Sequence, residues 1–389
     1  MRPTPRTDHA EAVDFGPFTE VAPVQIAAGR TFTRRPTRQI LVGKVPVGGN
    51  APIAVQSMTK TDTRDATATV EQIWALEAAG CEIVRIAVPD ADAAAAVPTI
   101  RAQIRIPLVV DIHFDYRLAL ACLETGVDCL RINPGNIGPT WRVREVTRAA
   151  AERRVPIRIG VNAGSLEKHL LQRFGEPTAE AMVESALLHI RILEELNYPE
   201  MKVSLKASDP RMMIAAYRML ADRVPYPFHL GVTEAGTAFT GAIKSAVGIG
   251  TLLAEGIGDT IRVSLTEDPP EEIKAGFEIL KALGLRQRGL NVIACPSCGR
   301  VEIDLVGVTK EVERRLGDLT FSRPLTVAVM GCAVNGPGEA RGADIGIAGG
   351  NGVGILIRKG QIVRKVKESE LAEALVEEVR QLAAGPEKD

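Results

Sequence analysis

The chain of 389 residues is poor in cysteine (six), histidine (five) and aromatic residues (4%), and each shortage excludes something. Six cysteines over this length do not form the disulfide framework of a small secreted protein, so a reducing cytoplasm is expected. Lys and Arg (47) nearly cancel Asp and Glu (48), so no global field draws the chain to nucleic acid or an anionic membrane, and neither is expected as a partner. No apolar run approaches the length of a membrane span. The opening residues have no apolar core and carry Asp8, Glu11 and Asp14, which fits neither a secretory signal nor a transit peptide. No G-x-G-x-x-G follows the first predicted strand, which disfavours an open dinucleotide-binding sheet.

What is present is an alternation. Short β-branched runs at 53–57, 82–88, 107–112, 128–133, 156–161, 201–206, 227–232 and 259–265 alternate with amphipathic stretches such as 66–80, 115–125, 178–196 and 237–255. Near-continuous apolar strands suit a parallel sheet covered on both faces. Eight strand–helix units predict a (β/α)8 TIM barrel over residues 36–288, after a flexible lead-in at 1–35. A second module, 289–389, reads as strand 291–294, helix 299–317, strands 324–330, 343–348 and 353–358, and helix 368–384: a small α+β domain of ferredoxin type.

Polar residues mark the downstream ends of the barrel strands, where barrel active sites are built. They include Gln56, Ser57, Arg85, Asp111, His113, Arg131, Asn133, Asn136, Arg158, Asn162, Lys202, Ser204, Lys206, His229, Thr233, Glu234, Arg262 and Ser264. Many cations with few carboxylates describe a pocket for a multiply charged anion, phosphate being the natural candidate.

In the second module Cys295 and Cys298 form a C-x-x-C pair, and Cys332 lies in the glycine-rich VMGCAVNGPGEA with Glu339 seven residues on. C-x-x-C serves zinc, redox disulfides and iron–sulfur clusters alike. A zinc ribbon would add a second C-x-x-C, and a redox disulfide would leave Cys332 unexplained. Three thiolates and a carboxylate make a 4Fe–4S cluster the candidate cofactor, with zinc and buried structural thiols as the open alternatives. The C-x-x-x-C-x-x-C of radical-SAM barrels is missing from the barrel's start. Cys81, Cys122 and Cys129 fall in core patterns.

CPSCGR and GCAVNGPGEA, together with QSMT, DIHF, RINPGN, RIGVN, KASD and GVTEAG upstream, resemble in order the 4-hydroxy-3-methylbut-2-enyl diphosphate synthases of the bacterial methylerythritol phosphate isoprenoid route. The likeness runs from about residue 38 to 385; Lys60 departs from it, where the family often has Asn. The resemblance implies a TIM barrel followed by a ferredoxin/sulfite-reductase-like iron–sulfur domain. It implies reductive opening of 2-C-methyl-D-erythritol 2,4-cyclodiphosphate with two single electrons from flavodoxin or ferredoxin. It also implies a homodimer in which the cluster domain of one subunit caps the barrel of the other. Cluster ligands would be Cys295, Cys298, Cys332 and Glu339, and diphosphate ligands Arg131, Arg158, Asn162, Lys206, Arg262 and Ser264. Glu234 would carry a proton, with Glu339 as the second catalytic carboxylate; His113 and Asn335 would line the site. The competing readings are a redox-inactive barrel lyase or aldolase on a phosphorylated substrate with a structural zinc, and a non-catalytic electron carrier.

Overall fold

The computed structural model describes residues 24–26, 30–286, 288–316, 325–332, 334 and 336–384. It divides after Leu285 into two compact units.

The first unit is built on eight parallel strands: β1 (Ala54–Met58), β2 (Ile83–Val88), β3 (Leu108–Ile112), β4 (Cys129–Ile132), β5 (Ile157–Asn162), β6 (Met201–Lys206), β7 (His229–Leu230) and β8 (Thr260–Ile261). They run β6-β5-β4-β3-β2-β1-β8-β7. A bridge between Val203 and Phe228 joins β6 to β7 and closes the ring. Local chemistry punctuates the alternation. The side chains of Asp65, Asp90, Asp115, Thr178 and Asp209 each accept a hydrogen bond from the first turn of the following helix, satisfying N–H groups that a helix start leaves unpaired.

Strand periodicity then sorts the side chains. Val84, Ile86, Val110, Ile112, Leu130, Ile132, Ile157, Ile159, Met201, Val203 and Leu205 point outwards into the core shared with the helices. The residues between them face the barrel axis, and they are largely charged.

Below the strands, Ile40–Val42 pairs antiparallel with Val45–Val47. Ile40, Val42 and Val47 pack with Ala54, Ile83, Val109 and Cys129, plugging the upstream end of the barrel. This hairpin was not expected from the sequence. Nor was the role of Arg34 and Arg35, assigned to the lead-in. Arg34 pairs with buried Asp259 at 2.8 Å, and Arg35 donates to the carbonyls of Val224 and Tyr226. Upstream, Val24–Ile26 pairs with Arg30–Phe32.

The second unit is a five-stranded sheet, β9 (Leu290–Ala294), β10 (Leu325–Met330), β11 (Ile345–Ala348), β12 (Val353–Arg358) and β13 (Gln361–Lys367), in sequence order. β9, β10 and β11 are parallel, and β12 and β13 antiparallel. Helices Leu305–Leu316 and Leu371–Ala384 contribute Val312, Leu316, Leu375 and Val379 to the core on one face. The expected helix from 299 starts at Leu305 instead, and its first turn is closed by Asp304, whose Oδ1 accepts from Gly307 N at 3.0 Å. β13 went unread because its side chains are almost all exposed.

Asp259 also accepts from Thr37 Oγ1 and Phe228 N. Burial raises its pKa, and Arg34 opposes that shift. Arg34→Met is predicted to cost about 3–5 kcal/mol, the usual loss on stripping a buried charge of its partner; urea denaturation of the full chain measures it.

Candidate functional site

Among the described residues six cations line the barrel interior: Arg85, Arg131, Arg158, Lys202, Lys206 and Arg262. The carboxylates among them are Asp111 and Glu272. A TIM barrel normally fills this space with branched apolar side chains. Here two inward positions are glycines instead, and each makes room for a long cation. A Cβ on Gly160 would sit 2.2 Å from Arg131 Nε, and one on Gly231 would sit 2.8 Å from Lys206 Nζ.

The two carboxylates orient some cations without neutralising all. Asp111 Oδ1 accepts from Arg131 Nη1 at 2.8 Å, and its Oδ2 lies 3.7 Å from Arg85 Nε. Burial would raise the Asp111 carboxyl, but Arg131 and Arg85 outweigh it and hold it well below the ordinary range. Glu272 Oε2 accepts from Ser57 Oγ at 2.8 Å and lies 3.5 Å from Arg262 Nη2. Its Oε1 accepts from Leu265 N at 3.0 Å. Among the described residues Arg158 has no hydrogen-bond partner on any of its three guanidinium nitrogens, and Lys202 has none on Nζ. Burial, reinforced by neighbouring cations, pushes Arg158 down to about 10 and Lys202 down to about 8. Lys206 falls well below the lysine range, from burial first and then from Arg262, Arg85, Arg158 and Arg131. Buried cations left in this state are a receptor for an anion.

Of the predicted diphosphate ligands, Arg131, Arg158, Lys206 and Arg262 therefore share this interior. Asn162 ends β5 in register with Lys206, and Ser264 is half-buried just beyond β8. Glu234 is exposed at the rim after β7, in the left-handed region at φ +53°, an uncommon conformation for a non-glycine residue and one found often at functional positions. His113 Nε2 lies 2.7 Å from Arg131 Nη1, and Nδ1 lies 2.9 Å from the Asn136 amide. Nε2 also lies 3.3 Å from Asp111 Oδ1, so the ring stands between an arginine, a carboxylate and an amide. Lys60 Nζ donates to the carbonyls of Leu265 and Glu267 and lies 3.9 Å from Glu272 Oε1. Glu272 was missed, since beside Glu271 in a helical first turn it reads as an ordinary surface acid.

In the second unit, Ala294 and Val329 are in register on parallel β9 and β10. Cys295 and Cys332 therefore leave the same end of the sheet, Cys298 follows in the exposed loop, and Glu339 ends the short helix Gly336–Glu339. Gly331 N donates to Cys295 Sγ at 3.2 Å, the kind of N–H···S bond that stabilises a thiolate bound to metal. Gly336 packs against Met330 and Ala348, where a Cβ would lie 2.6 Å from that of Ala348. The soft donor set of three cysteines with one carboxylate suits an iron–sulfur centre. Among the described residues no three His, Cys, Asp or Glu side chains are gathered closely enough to hold a metal ion. Asn335 lies outside the described residues.

The GcpE TIM-barrel domain matches residues 37–277, and the GcpE protein C-terminal domain matches residues 291–381. The chain belongs to the GcpE family. It is 66% identical over 348 residues to the 4-hydroxy-3-methylbut-2-en-1-yl diphosphate synthase (flavodoxin) of Geobacter sulfurreducens, covering 90% of this chain and 98% of that one. The Symbiobacterium thermophilum protein of the same name is 62% identical, covering 90% and 94%. Among solved structures, Yersinia pestis dihydropteroate synthase aligns with 64% of this chain and 100% of its own at a TM-score of 0.44 and 12% identity, too distant to carry an argument.

For this GcpE chain, Gly160→Ala is predicted to displace Arg131 and weaken binding of inorganic diphosphate at least tenfold, read by titration calorimetry. Because burial and the neighbouring cations lower the Lys206 pKa, diphosphate affinity falls as pH rises to where that amine loses its proton. Binding near that pH takes up protons, which calorimetry in buffers of differing ionisation enthalpy detects.

Proposed function

We infer that the chain is an oxidoreductase catalysing the reductive opening of 2-C-methyl-D-erythritol 2,4-cyclodiphosphate to (E)-4-hydroxy-3-methylbut-2-enyl diphosphate. The observation that carries this reading is the excess of buried, unpartnered cations inside the barrel of a GcpE-family chain. The bond from ring carbon to phosphate oxygen breaks. A hydroxyl leaves as water, and two electrons and two protons enter.

Arg131, Arg158, Lys206 and Arg262, with Asn162 and Ser264, hold the cyclic diphosphate. They stabilise the charge that gathers on the phosphate oxygen as the ring opens. Asp111 and Glu272 fix Arg131 and Arg262 before substrate arrives, so little reorganisation remains for the reaction step. Glu234, at the solvent-facing rim, supplies the proton that turns the departing hydroxyl into water.

A 4Fe–4S cluster would be held by Cys295, Cys298, Cys332 and Glu339. Bound there, it would supply single electrons and one iron with an exchangeable ligand. Flavodoxin or a ferredoxin is the electron donor, and the cytoplasm is the compartment. No described helix is long and apolar enough to cross a membrane. The working unit is a homodimer; Phe239, Ile243 and Val247, spaced by four on the exposed side of helix Ala238–Ala254, offer an apolar stripe for a second copy to cover.

Anaerobically purified protein should contain about four irons and four sulfides per chain and be brown. Zinc at about one per chain without colour would replace the cluster by a structural zinc and favour the lyase alternative. Glu339→Ala should retain iron in a more labile form and lose turnover with reduced flavodoxin; full turnover would remove Glu339 from its role. Glu234→Gln should lower kcat by about 10²–10⁴-fold, the range for a missing general acid, with KM little changed.

A further inference from the structure

The diphosphate reading accounts for the mouth of the barrel and leaves its floor unexplained. Lys202 stands in register with Arg158, four residues upstream of Lys206 on the same strand, about 13 Å along the strand and, at a barrel tilt of about 36°, about 11 Å deeper. Beneath it the barrel is sealed by the apolar hairpin residues Ile40, Val42 and Val47. Lys202 Nζ, His229 Nε2, both amide atoms of Gln56 and the whole Arg158 guanidinium lack hydrogen-bond partners among the described residues. All four residues are at most 1% exposed. The charges of Arg158, Lys206 and Lys202 all act on His229, which burial already keeps neutral, so these four share one neighbourhood; Gln56 follows Val55, whose register partner Ile261 adjoins the Thr260 paired with His229.

All but one of these orphaned atoms can donate, the exception being Gln56 Oε1. His229 Nδ1 lies 2.8 Å from Thr260 Oγ1. With the hydroxyl donating there, Nε2 carries the proton and presents an N–H. An ammonium, an imidazole N–H, a carboxamide N–H and a guanidinium make a donor set for an anion.

The charge balance leads to the same place. Six interior cations over two carboxylates leave four positive charges uncompensated. A cyclic diphosphate has one ionised oxygen on each phosphorus and neutralises two. Two remain, and Lys202 is the cation furthest from the mouth. An uncompensated buried ion is strongly unfavourable.

We propose that the barrel floor contains a second anion site, formed by Lys202, His229 and Gln56 beside Arg158, that holds a halide-sized monoanion independently of the substrate. The size limit follows from the closed eight-stranded ring, whose interior has space only between side chains. The charge count rests on the diphosphate reading of the mouth; the orphaned donors do not. The site compensates the deepest cation, so that substrate has only the upper ones to neutralise.

Crystals of the full chain grown or soaked in bromide test this without reference to turnover. An anomalous peak beside Lys202 Nζ is expected, both in free protein and with the cyclic diphosphate bound. Ordered water alone at that position overturns the proposal. So does a peak that vanishes when the diphosphate binds, since the floor would then belong to the substrate's own site. In solution, chloride should raise the Tm of the wild-type protein relative to gluconate at equal ionic strength, as any ligand selective for the folded state does. Lys202→Met should fold with its chloride dependence abolished. A chloride shift undiminished in that variant also overturns the proposal.

Discussion

The constraint on which the site depends is positive charge held out of water inside the barrel without matching negative charge. Most barrels fill this space with aliphatic layers; here the inward positions of β2, β4, β5, β6 and the segment after β8 carry Arg or Lys. Strand periodicity allows this without disturbing the rest. Ile157 and Ile159 pack outwards against the helices while Arg158 points in from between them, so hydrophobic stability and anion recognition occupy opposite faces of the same strands.

Two devices keep the arrangement ordered. Absent side chains at Gly160 and Gly231 give Arg131 and Lys206 their paths. Asp111 and Glu272 are too few to neutralise the interior, yet each fixes an arginine in place. Arg131 is held by Asp111 and by the Gly160 carbonyl at once, so its guanidinium is preorganised for phosphate. Stability comes from elsewhere: the outer core, the hairpin plug and the Arg34–Asp259 pair. The repulsion among Arg158, Arg262, Arg131 and Lys206 is retained where an anion relieves it, the usual location of strain that function requires.

Legibility in the sequence followed the same division. β6 matched its expected span, and β5 was displaced by a single residue, because buried parallel strands carry unbroken β-branched runs. The strand-end cations were equally plain as a set: any one of them could simply pair with a neighbouring carboxylate, as Arg131 does with Asp111, but so many at equivalent positions pointed to an anion. β13 was lost for the opposite reason: QIVRKVK is an exposed edge that looks like a charged loop. The hairpin at 40–47 was missed because its strands are three residues long. Glu272 was invisible because only tertiary structure turns one of two adjacent helical glutamates inward. Lys202 could be read as a strand residue. Its depth could not, since depth follows from the shear of a closed barrel. The thiols of the second unit were legible as a set, and β9 and β10 bring Cys295 and Cys332 to one sheet end.

The most direct test of this account is the effect of Arg158→Met on stability and on binding, measured together in halide-free buffer. The account predicts that exchanging an unpartnered buried guanidinium for an apolar side chain raises the Tm of unliganded protein, while affinity for the cyclic diphosphate falls at least tenfold. A variant that is less stable than the wild type and binds the cyclic diphosphate equally well would contradict it, and Arg158 would then be an ordinary structural residue of the barrel.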